Sequence, residues 1–99
     1  MIDLAKITGF DWDEGTARKN EKHCVSTAEA EQVFFNVPLL LMVDKKHTGV
    51  EPRFHALGRT DSKRTLHITF TLRGSADRIR VISARDMHRK ERQVYEEAP

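Results

Sequence analysis

Ninety-nine residues, 38% apolar and 32% charged, suffice for one modest core beneath a very polar surface, so a single domain over residues 1–99 is expected. No apolar run nears the ~20 residues that span a bilayer, MIDLAKITGF lacks the basic and apolar regions of a secretory signal, and a lone cysteine excludes an internal disulfide, which together point to the cytoplasm. The formal net charge of +2 hides an asymmetry, because nine of the ten arginines lie in residues 51–99.

Phe10-Asp11-Trp12 alternates apolar and polar residues, a short extended stretch. Asp13 can cap a helix running to about His23, with Glu14 in its positive first turn. Ser26-Thr27-Ala28-Glu29 has the pattern of a capping box. It starts a second helix that runs to about Phe35, buries Ala30, Val33 and Phe34, and is ended by Pro38. Leu39-Leu40-Leu41-Met42-Val43 is too short for a helix and reads as a buried strand. Lys45 to Pro52 is a polar loop. Arg53 to Arg59 alternates, Asp61-Ser62-Lys63 turns, and Arg64 to Arg73 alternates again. Gly74-Ser75-Ala76-Asp77 turns into a last strand, Arg78 to Arg85. Asp86 can cap a C-terminal helix to about Glu97 with Met87, Val94 and Tyr95 on its apolar side. The fold expected is α+β: two N-terminal helices, a four-stranded, mainly antiparallel sheet packed on one side by helices, and a C-terminal helix.

Symmetric closure of the two hairpins sets Arg59 opposite Thr65, Leu57 opposite His67 and His55 opposite Thr69. It then sets Arg73 opposite Arg78, Thr71 opposite Arg80 and Thr69 opposite Ile82. The period of two puts Phe54, Ala56, Gly58, Leu66, Ile68, Phe70, Leu72, Ile79 and Val81 on the core face. The other face collects Arg53, His55, Arg59, His67, Thr69, Thr71, Arg73, Arg78 and Arg80. A slip of one residue would mix the sets. Such a face is either a solvated, salt-bridged surface or a site for a phosphodiester. In the second case Arg holds the phosphate and the charge of a five-coordinate transition state. His moves a proton, and RNA supplies its own 2′-OH nucleophile.

His23-Cys24 raises the question of a reactive thiol or a metal ligand. No CxxC or HxxxH accompanies it, and adjacent helical residues point about 100° apart, a poor geometry for a Cys/His pair. Glu51 stands before Arg53 and can be a general base or a salt-bridge partner.

The ordered set Phe10-Asp11-Trp12-Asp13, Lys22-His23, Glu51-Pro52-Arg53-Phe54, Ala56-Leu57-Gly58-Arg59 and Ile79-Arg80-Val81-Ile82-Ser83-Ala84-Arg85, with Glu91 and Tyr95, resembles the BrnT toxins of type II toxin–antitoxin systems, within the RelE-like group. The match spreads over residues 10–96. It implies a RelE-like fold and a metal-independent endoribonuclease that cuts RNA, free or on ribosomes, and arrests translation and growth. No cofactor is implied. It also implies a BrnA-type antitoxin with a ribbon-helix-helix domain, which wraps the toxin in a heterotetramer and takes the complex to operator DNA. Where the motifs match, the resemblance points to Glu51, Arg53, Arg59, Arg80 and Arg85, Arg80 being reached by the face analysis as well. The catalytic candidates are thus Arg80, Arg53, Glu51, Arg59 and His55, and the RNA-binding candidates are His67, Arg73, Arg78 and Arg85. Arg85 follows the other parity and would act from the strand's end. The family usually has Gly where this chain has Cys24, a position suited to a left-handed cap. The alternative is a non-catalytic module that binds RNA or only its antitoxin.

Overall fold

A computed structural model describes residues 3–15, 22–46 and 51–98. A 3-10 turn at Leu4–Lys6 leads into β1 (Gly9–Asp11). The expected helix from Asp13 to about His23 falls largely outside the described residues. Helix α1 (Thr27–Gln32) continues as a 3-10 turn, Val33–Phe35, and strands β2 (Leu40–Val43), β3 (Phe54–Arg59), β4 (Thr65–Arg73) and β5 (Arg78–Asp86) follow before α2 (Arg89–Glu97).

The α+β class holds, but the sheet has five strands rather than four, in the order β1-β5-β4-β3-β2. The added strand is the Gly9–Asp11 stretch, which lies parallel to β5 with Asp11 beside Arg80, so the sheet is mixed. β3 and β4 pair in the expected register, Arg59 with Thr65 through His55 with Thr69. β4 and β5 also begin as expected, Arg73 with Arg78 and Thr71 with Arg80. A β-bulge at Ile82 then inserts one residue, so Thr69 faces Ser83 rather than Ile82. Beyond it the parity of β5 reverses. Arg85 therefore comes opposite His67, on the polar face rather than the core face.

The core lies where alternation placed it. Ala56, Leu66, Ile68, Phe70, Ile79 and Val81 are buried against Val25, Ala30 and Val33. The α1 capping box forms: Ser26 Oγ accepts from the Glu29 N–H at 3.1 Å, and the Glu29 carboxylate accepts from the Ser26 N–H at 3.0 Å. Gly58 lets the 3-10 turn close on β3, since a Cβ there would come within 2.6 Å of Val33 Cγ1.

Helices cover both faces of the sheet, not one. α2 crosses the polar face and buries Met87 and Tyr95 on Leu57 and Leu40. It starts later than expected. Asp86 remains in β5, and the cap is His88, whose N–H donates to the Glu91 carboxylate at 2.8 Å. Asp86 instead takes Arg64 through two hydrogen bonds at 2.7 and 3.0 Å. Arg64 also donates to Glu29 and to the His23 and Cys24 carbonyls, so all five of its N–H groups are used. This bidentate pairing drives the Asp86 carboxyl below its ordinary range and the guanidinium further up. Cys24 is exposed at φ 55°, in the left-handed region that favours glycine.

A candidate phosphate-binding cleft

With α2 covering one end of the polar face, the other end stays open as a cleft of about 240 Å³, lined by Asp13, Glu51, Arg53, Thr71, Arg73, Arg80 and Ile82. Four segments bring these residues together. Thr71 and Arg80 are direct cross-strand neighbours. β1 delivers Asp13, two residues past its end, to hydrogen-bond Arg80. Trp12 anchors that approach by donating its indole N–H to Glu31 of α1 at 2.7 Å. The segment before β3 is pinned by Thr71, whose hydroxyl donates to the Pro52 carbonyl at 2.6 Å. Glu51 then pairs with Arg73 at 2.7 Å.

Three guanidinium groups against two carboxylates leave the cleft net positive. Arg53 is exposed and has no ion-pair partner among the described residues. Arg73 Nε is buried without a hydrogen-bond partner among them. Arginine forks of this kind match phosphate oxygens in number and geometry. Glu51 and Asp13 are the acceptors able to take a proton at the same place. Among the described residues no group of three His, Cys, Asp or Glu is arranged as metal ligands.

Of the residues named from sequence, Glu51, Arg53, Arg73 and Arg80 share this cleft. Arg78 sits at its edge of the sheet, 3.5 Å from Asp11. Arg59 closes the far end of β3, about 20 Å away at ~3.3 Å per residue, near enough to Tyr95 for its charge to act on the phenol. Arg85 grips Glu91 through two hydrogen bonds at 2.8 and 3.0 Å and so clamps β5 to α2. That pairing, with the His88 N–H, holds the Glu91 carboxyl down at about 2.

The two histidines fall outside the cleft. His55 Nδ1 meets the Thr69 hydroxyl at 3.0 Å and its Nε2 meets Asp44 at 3.0 Å, so both ring nitrogens are engaged. Its ring lies 4.9 Å from that of His67. His67 is buried beneath α2, only 9% exposed, and not on an open surface as its parity suggested. Burial first, and then the Arg85 charge, push its pKa down to about 4. It is thus a neutral ring, largely covered by α2.

Asp13, Thr71 and Ile82 join the cleft without having been named as site residues. Asp13 carries a readable signal: it ends the Phe10-Asp11-Trp12-Asp13 motif, although its sequence context alone reads only as a helix cap.

A family model described as a ribonuclease toxin, BrnT, of type II toxin–antitoxin systems matches residues 12–91, which takes in every residue of the cleft. Comparison with curated proteins finds no match.

Proposed function

The chain belongs to the BrnT family of ribonuclease toxins of type II toxin–antitoxin systems, and from that premise we propose that it cleaves RNA at this cleft, without a metal, by attack of the 2′-OH on the adjacent phosphate. The observation that carries the reading is the meeting of Glu51, Arg53, Arg73 and Arg80 around one opening. Arg53 and Arg80 hold the non-bridging phosphate oxygens. Glu51, ion-paired with Arg73 yet half exposed, takes the 2′-OH proton. The 2′-oxygen bonds to phosphorus, the bond to the 5′-oxygen breaks, and solvent in the open cleft protonates the leaving oxygen. The guanidinium groups gain most as charge builds on the five-coordinate phosphorus, which is the differential binding that lowers the barrier. His55 is assigned no proton transfer, because Asp44 and Thr69 occupy its ring nitrogens.

The reading includes one RelE-like toxin domain over residues 1–99, acting in the cytoplasm on free or ribosome-bound RNA. It also includes neutralisation by a BrnA-type antitoxin that carries a ribbon-helix-helix domain. Among the described residues no helix is long and apolar enough to cross a membrane.

The test is incubation of the folded protein with RNA in EDTA, alone and with ribosomes. New ends carrying a 2′,3′-cyclic phosphate are expected. Intact RNA in both settings, together with unimpaired growth on expression, overturns the catalytic reading. Salt-sensitive binding of uncut RNA would then make it a binding module.

A further inference from the structure

One feature of the surface lies outside the cleft. β2 ends the sheet, with no strand beyond it among the described residues. The Asp44 N–H donates to the Arg53 carbonyl at 2.9 Å. Antiparallel alternation then turns the Leu40 and Met42 amides inward to β3 and those of Leu41 and Val43 outward. Three of the exposed large apolar side chains stand at this edge, Met42 and Val43 on β2 and Val94 on α2; Phe35 lies instead against Phe10 of β1, the opposite edge strand. Met42 and Val94 open onto an apolar hollow of about 290 Å³ whose wall includes Leu57. Lys90 is part of its wall, and Lys45 and Lys46 follow the end of β2; all three are exposed and without an ion pair among the described residues.

An unpaired edge flanked by apolar side chains is a template for an added strand. An RNA base suits the hollow poorly. Met42, Leu57 and Val94 offer it no hydrogen bond, the nitrogens of His55 and the carboxylate of Glu91 are already engaged, and only Lys90 and the buried His67 remain as polar groups of its wall. Resting on the type II toxin reading above, we propose that an extended segment of the cognate antitoxin adds to β2 as a sixth strand. It sets an apolar side chain in the hollow and carboxylates against the three lysines. Backbone hydrogen bonds and the pocket divide the work as in other strand additions. Val43 pairs with Phe54, next to Arg53, so a segment continuing past that end runs onto the cleft.

The test uses the full chain and, as probe, the protein encoded by the adjoining reading frame, titrated against wild type, Val43→Pro and Val94→Glu. Proline at 43 removes an outward N–H without touching the ladder to β3. Glutamate at 94 keeps a good helix former at an exposed position while setting like charge against the segment. Both variants should weaken binding at least tenfold and leave RNA cleavage by the free toxin within twofold. The Leu41 and Val43 amides should gain hydrogen-exchange protection on binding. Binding by both variants within twofold of wild type overturns the proposal and leaves the toxin reading standing. A Val94→Glu chain that loses RNA cleavage but not antitoxin affinity also overturns it, by making the hollow an RNA subsite. If the wild-type chain does not bind the adjoining protein, the toxin–antitoxin reading itself fails and the docking surface with it.

Discussion

Arg85 stands directly across the sheet from His67, with Glu91 of α2 held between its guanidinium and the imidazole, 2.8 Å from Arg85 and 3.8 Å from His67. The bulge at Ile82 creates this relationship, and its electrostatics give a pH signature. His67 has a folded pKa near 4 against an ordinary 6.5. Between those values the unfolded chain takes up a proton that the folded chain refuses, so stability is full above about pH 6.5 and falls as the pH drops toward 4. Glu91, lowered from 4.5 to about 2, adds a second loss from about pH 4.5 downward. Urea midpoints measured across this range should show both declines, and His67→Asn should remove the upper one. An unchanged profile in that variant would assign the upper decline to another group.

The cleft assignment predicts a sharp contrast between arginines. Arg80→Ala should slow RNA cleavage by about 100-fold, the scale seen when one donor to a transition-state oxyanion is removed. Arg59→Ala, at the opposite end of β3, should stay within threefold. Single-turnover cleavage with matched circular dichroism spectra decides the matter, and equal losses would move the chemistry away from the cleft.

Glu51→Gln tests the base. It should lower the rate by about 100-fold or more, with RNA affinity nearly unchanged. A variant that keeps the rate has another proton acceptor, Asp13 being the other carboxylate in reach.

Arg64 should prove a structural arginine. It joins β4 to Asp86, Glu29 and the carbonyls of the His23–Cys24 turn. Its partners are partly exposed and screened, so Arg64→Met should cost about 2 kcal/mol, less than the hydrogen-bond count suggests. Lysine, lacking the fork, should restore only part. Denaturant melts give the values, and a loss under about 0.5 kcal/mol would show the network to be ornamental.

Cys24→Gly should stabilise the chain by about 1 kcal/mol, because φ 55° costs a side chain roughly that much. For a domain of this size that is a gain of ~4 °C or more in Tm. Alkylating the exposed thiol should leave RNA cleavage unchanged.

The hairpins were legible because alternation over six to nine residues leaves one register with a clean apolar face. β1 was legible as an extended stretch but not as a member of the sheet, since three residues carry too little pattern and their pairing is parallel to a strand 67 or more positions away. The bulge was hidden by chemistry. The inserted Ile82 is as apolar as Val81 beside it, and only Ala84, buried on the core face, betrays the change of parity. The position of α2 had left a trace: Leu57 is an apolar residue on the polar face, and it is buried because Met87 and Tyr95 cover it. Four of the nine named site residues meet in the cleft because their segments abut there. The others share a face with them, and a face alone does not specify which end a helix will cover.

The parallel pairing of β1 with β5 also sets a timetable. A chain made from its N-terminus at ~5–20 residues per second offers Asp13 roughly 3 to 13 seconds before Arg80 is polymerised. Until β5 arrives, β1 has no strand to lie on and the cleft lacks one of the two arginines proposed to hold the phosphate. The proposed site is thus completed by the last of the described strands to be made, and no fragment that stops short of β5 can present it.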